Sequence, residues 1–65
     1  MMRKKKTFHD RQEELRSLLT TPAGRAELER LVARYAEESG RLRPARTSAV
    51  TYILVHEKEL GLIAG

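Results

Sequence analysis

The chain has no cysteine. That removes disulfide staples, thiolate zinc sites and a cysteine nucleophile, and it suits a reducing compartment. There is no tryptophan, one phenylalanine and two tyrosines, so the core must be mainly aliphatic. No apolar run approaches the ~20 residues that a bilayer-spanning helix needs. The longest, Ala49 to Val55, is broken by Thr51. The basic start, Met1 to Lys6, is not followed by the apolar stretch of a secretory signal. A cytoplasmic or nucleoid address and no membrane partner are therefore expected. There is no glycine-rich phosphate loop, and no second histidine stands four residues after His56 in His56-Glu57-Lys58-Glu59-Leu60. A metal site would need His9, His56 and a carboxylate to converge, so neither metal nor cofactor is expected. The serines and threonines have no base-and-orienter pattern beside them. An enzyme is not expected.

What is present is a short, charged, moderately apolar chain. It has 65 residues, 40% hydrophobic and 34% charged. That is too apolar for a disordered chain and too charged for a membrane one. The length allows one domain. Folding buries only about 60% of the surface of so small a chain, so stability is marginal and a second subunit would help.

The net charge is +4, and its location matters more than its sum. Arg3, Lys4, Lys5 and Lys6 carry four positive charges with no acid among them. Arg41, Arg43 and Arg46 place three more within one short loop. The remaining stretches are slightly acidic.

Three helices are predicted, about 8–19, 22–39 and 48–60. Thr7 is a good N-cap with Asp10 three residues on. Phe8, Leu15, Leu18 and Leu19 then share a face, with Arg11 and Gln12 between them. Thr21-Pro22 caps and opens the second helix. Leu28, Leu31, Val32 and Tyr35 follow the i, i+3, i+4, i+7 rule, and Gly40 supplies the stop. Arg41 to Arg46 form a loop, with Leu42 as its expected apolar anchor. Thr47 or Ser48 caps the third element, whose stripe is Val50, Ile53, Leu54 and Leu60, with Gly61 as the stop. Glu57 falls inside that stripe by angle and is expected to reach out to solvent near the helix end. Because Val50 to Val55 is rich in β-branched residues, a strand is the alternative there, and it would need a second copy to pair with.

These features define candidate sites. The basic arm attracts any polyanion, or simply keeps the chain soluble. The Arg41/Arg43/Arg46 loop stands ahead of a helix N-terminus, where cations are slightly unfavourable as structure but useful against an anion. Otherwise those arginines reach back to Glu37 or Glu38 as surface pairs. Thr51, Tyr52, Val55 and Glu59 point away from the third stripe, with His56 on the flank. Ser48 to Ile63 resembles the recognition helix of winged-helix proteins through Ser48, Val50, Leu54 and Leu60-Gly61-Leu62-Ile63. The connection from Gly40 to Thr47 exceeds a helix-turn-helix turn, and no wing follows, so no family is assigned.

The sequence thus predicts an all-α three-helix domain over 7–65 behind a disordered basic arm, 1–6. The expected function is non-catalytic binding of DNA or RNA. Arg3, Lys4, Lys5, Lys6, Arg41, Arg43 and Arg46 would hold phosphates, and Thr47, Ser48, Thr51 and Tyr52 would touch a groove. The alternative is a protein-interaction module or small homodimer using Tyr52, Val55 and His56. The geometry of the charge discriminates. Arm and loop on one face favour nucleic acid, and arm and loop apart favour the interaction module.

Overall fold

The computed structural model describes residues 5–64, so Arg3 and Lys4 of the expected arm lie outside the described residues. Three α-helices follow in chain order: α1 (Phe8–Ser17), α2 (Pro22–Ser39) and α3 (Ala49–Glu59). No strand forms among the described residues, and Val50 to Val55 is helical. No helix among them is long and apolar enough to cross a membrane.

Each helix starts where a hydroxyl can accept a free backbone N–H. Thr7 Oγ1 accepts from Asp10 N–H at 3.1 Å. Thr21 Oγ1 accepts from Gly24 N–H at 2.9 Å, with Pro22 at the first helical position. Ser48 Oγ accepts from Thr51 N–H at 3.2 Å, which makes Ser48 the cap of α3. The stops are glycines in the left-handed region. Gly40 has φ 69° after α2, and Gly61 has φ 73° after α3. At Gly61 the chain closes a Schellman motif, with Leu62 N–H on Glu57 O and Gly61 N–H on Lys58 O.

Leu15, Leu28, Ile53 and Leu54 form the fully buried centre, and Val32, Tyr35, Val50 and Ile63 complete the core. Phe8, Leu18 and Leu31 are partly buried against it, and three other expected core residues are exposed. Leu19 is exposed because α1 ends at Ser17 and a single 3₁₀ turn, Leu18–Thr20, rotates it off the stripe. Leu60 is exposed because the Gly61 turn redirects the chain and lets Ile63 fill the core instead. Leu42 is no anchor: it is 85% exposed. The loop is held through backbone instead, as the Tyr52 hydroxyl donates to Arg41 O at 2.7 Å.

The boundary of the arm also moves. Lys6 O accepts Ala64 N–H, and Phe8 N–H donates to Ala64 O, both at 2.8 Å. The Lys6 ammonium pairs with Glu14. Lys6 therefore belongs to the folded body, clasped to the residues after α3.

The elbow between α1 and α2 is a very close approach of two backbones. A Cβ on Gly24 would lie 2.1 Å from Leu18 O and 2.8 Å from Leu18 Cα. Alanine is ordinarily preferred over glycine in a helix by about 1 kcal/mol. Here the clash is with backbone, which cannot swing aside. Gly24→Ala is expected to lower stability by about 1–3 kcal/mol, the usual cost of overpacking. A urea melt showing the variant equal to or above the parent would contradict this close approach.

Candidate docking groove on the third helix

The orientation of α3 is set from inside the protein. Glu57 does not reach out to solvent: it is 4% exposed, on the core face of α3. Arg11, from α1, forks onto it, with Nε to Oε1 at 2.7 Å and Nη2 to Oε2 at 2.9 Å. The Tyr35 hydroxyl, from α2, donates to Oε2 at 2.7 Å. One carboxylate thus receives three hydrogen bonds from two other helices, two of them from a guanidinium. Arg11 also reaches Glu14, which Lys6 caps in turn.

Burial alone would push the Glu57 carboxyl up, but hydrogen bonds from Arg11 and Tyr35 outweigh it and hold the carboxyl below its ordinary range. Burial, with the bond to Glu57, pushes the Tyr35 phenol up to about 12. The bond from Lys6 is the main cause holding Glu14 below its ordinary range, with Arg11 adding to it. For a carboxyl depressed in the folded state, stability is fully present above the unfolded value and is lost as pH falls through the folded one. Stability should therefore decline in acid below the ordinary carboxylate range of about 4.

Fixing the inner face of α3 leaves Thr51, Val55 and Glu59 on the outer face, at successive helical turns. The loop after Gly40 runs beside that face, and between them lies a cleft of about 550 Å³. Arg41, Pro44 and Thr47 form the loop wall. Thr51, Tyr52, Val55, His56 and Glu59 form the helix wall, and Ser39 also lines the cleft. Of the residues singled out in sequence, Arg41, Thr47, Thr51, Tyr52, Val55 and His56 are thus brought together. Arg43, Arg46, Ser48, Lys5 and Lys6 are not among the residues lining the cleft. Pro44 and Ser39 were missed. Pro44 gave only a turn signal, and Ser39 only a helix end.

Several of these side chains are already engaged within the chain. Tyr52 holds the loop at Arg41 O, so its hydroxyl is not free to donate elsewhere. Arg43 Nη1 donates to Thr47 O, which steadies the loop's last turn together with Thr47 N–H on Pro44 O at 3.0 Å. The Ser48 hydroxyl donates to Thr51 Oγ1 at 3.0 Å. His56 lies between two tyrosine rings, with centroids 4.3 Å from Tyr35 and 6.4 Å from Tyr52. Its Nε2 is buried without a hydrogen-bond partner.

The loop arginines do not reach back to Glu37 or Glu38. Arg34 takes Glu38 at 3.1 Å. Among the described residues no carboxylate forms an ion pair with Arg41, Arg43 or Arg46. The loop precedes α3, whereas Lys6 is bonded to Ala64 beyond its other end. Of the described basic residues, Lys5 and Lys6 adjoin the segment after α3, whereas Arg43 is bonded to Thr47 just ahead of α3. No group of three or more His, Asp or Glu able to hold a metal occurs among the described residues. Comparison with protein-family models, with curated proteins and with solved structures finds no match to this chain.

The inner network generates a prediction of its own. Glu57→Leu leaves Arg11 with Glu14 as its one carboxylate and takes the acceptor from the Tyr35 hydroxyl, and should cost roughly 3 kcal/mol. Adding Arg11→Met to the same chain should recover part of that loss, because both charges are then gone. Denaturant melts of the two single variants and the double variant form the cycle. Strict additivity would show that the pair is not coupled.

Proposed function

We propose that this chain is a non-catalytic interaction module whose docking surface is the groove between α3 and the loop that precedes it. The observation that supports this most is the gathering of two apolar residues, Val55 and Pro44, with a base, Arg41, and an acid, Glu59, in one cleft. Val55 is 48% exposed on the helix wall. Such a surface suits a polypeptide segment carrying an apolar side chain flanked by an acid and a base. A cytoplasmic address belongs to the proposal, on the absence of cysteine.

Panning a displayed peptide library against dilute protein tests it. Selected peptides should lose about tenfold or more in affinity on Val55→Asp, the usual scale for a central contact. The variant's helical circular dichroism should be unchanged, because the side chain is on the solvent side of α3. Equal binding by a folded Val55→Asp would move docking elsewhere and overturn the reading.

A second reading, binding of DNA or RNA phosphates, is favoured by the loop arginines that lack an acidic partner. Arg43 is committed to Thr47 O, which leaves Arg41 and Arg46. Replacing all three arginines by Gln should then flatten the slope of log K against log salt by about 2 on duplex DNA, near 0.9 for each phosphate no longer neutralised. An unchanged slope removes the loop from such a role. No binding to either nucleic acid at low salt removes the reading itself.

A further inference from the structure

The turn after α3 gathers features that neither the core nor the groove uses. Leu60 and Leu62 stand on either side of Gly61 and are 55% and 54% exposed. Gly61 turns the chain at φ 73°, and the Schellman bonds from Gly61 and Leu62 fix the turn. Basic side chains meet it from the other extreme of the sequence. A Cβ on Gly61 would lie 3.9 Å from Lys5 Nζ, so the Lys5 ammonium is within contact reach of the turn. Lys6 is clasped to Ala64, and together with Leu62 it lines a second, smaller cleft. Lys58 is exposed on the last turn of α3. Arg3 and Lys4 precede Lys5 in the sequence and carry the same sign of charge.

Most of the neighbouring acid is already engaged. Glu57 is held by Arg11 and Tyr35, and Glu14 by Lys6 and Arg11. Among the described residues no carboxylate forms an ion pair with Lys5 or Lys58. Within residues 58–62 the one acid is Glu59. Two exposed leucines in a net basic setting call for a partner that is both apolar and anionic. We propose that this turn docks on the surface of an anionic lipid bilayer, with Leu60 and Leu62 entering the interface and Lys5 and Lys58 meeting headgroup phosphates.

The expectation of no membrane partner rested on the missing span, which a surface contact does not need. Two arguments select lipid over other acidic partners. Nucleic-acid phosphates reward the bases but leave both leucines in water. A specific protein interface takes about 20–30 residues from each side, and the turn with its bases presents far fewer. A bilayer surface requires no shaped partner. It rewards each buried apolar group and each nearby base separately, and a contact this small is reversible.

Flotation of the full chain with vesicles tests the proposal. Vesicles of equal parts phosphatidylglycerol and phosphatidylcholine should carry the protein at low salt, and phosphatidylcholine alone should not. Lys5→Gln and Lys58→Gln should each weaken the partition by about fivefold, the effect of one base beside an anionic leaflet. Glu59→Gln should strengthen it, because the one acid of the turn is gone. Leu60→Ser combined with Leu62→Ser should weaken it by roughly tenfold or more. Helical circular dichroism should survive that pair, since both side chains are about half exposed. If it does not, the lysine and Glu59 variants decide, because none of them touches the core.

No flotation with the anionic vesicles at low salt overturns the proposal. Equal flotation by a folded chain lacking both leucines also overturns it, because charge alone then holds the protein. If that chain still binds duplex DNA at parental strength, the turn is a polyanion site instead. Equal flotation with phosphatidylcholine alone removes the bases from the contact and overturns it as well. The groove is judged separately, by peptide binding at Val55.

Discussion

A single carboxylate organises this molecule. Glu57 receives the guanidinium of Arg11 from α1 and the hydroxyl of Tyr35 from α2, while its own backbone belongs to α3. Apolar contacts among Leu15, Leu28, Ile53 and Leu54 supply most of the driving force, but they are non-directional and tolerate rotation of one helix against another. A forked guanidinium–carboxylate pair does not, because both donors must line up with both oxygens. Burying that pair carries a desolvation penalty of several kcal/mol per ion, offset only when the geometry is good and the remaining lone pairs are used. Here the tyrosine uses one of them. The outer face of α3 is set as the complement of this inner one.

The placement of charge is what separates the functional readings. By composition the protein is basic, and a basic chain of this size suggests a polyanion. In three dimensions the basicity is divided. Lys6 is tied down by Glu14 at one end of α3, and Arg43 commits its guanidinium to a loop carbonyl at the other. What is left around the groove is close to balanced, with one arginine and one glutamate among its lining residues. Balanced, ordered charge is a feature of surfaces that discriminate between protein partners, whereas sequence-independent phosphate binding rewards the sum of positive charge.

Much of the fold was legible because its punctuation is local. Thr7, Thr21 and Ser48 open the helices, and Gly40 and Gly61 close two of them, each for a reason contained within a few residues. The apolar stripe of α2 read correctly for the same reason. The central network was not legible, because its partners are 46 residues apart in the chain. A signal did exist. Arg11 lies between the apolar positions of α1 and Glu57 inside the stripe of α3, and two opposite charges on two apolar faces are less costly together than apart. Leu42 misled in the other direction, since an apolar residue in a loop carries no periodicity to say which way it points. The groove was half legible. Its helix wall follows from angular position on α3, whereas its loop wall depends on the Tyr52–Arg41 bond, which no local pattern encodes.

The clasp between Lys6, Phe8 and Ala64 binds the start of α1 to the segment after α3. Segments at the two extremes of a small domain ordinarily fray independently, each with its own low opening free energy. Here the amide of Phe8 is covered only while Ala64 is in place, and the amide of Ala64 only while Lys6 is. The two amides therefore exchange with solvent as one unit. Loosening either segment unlatches the other, and the shared opening leaves the turn that carries Ile63 without its outer support.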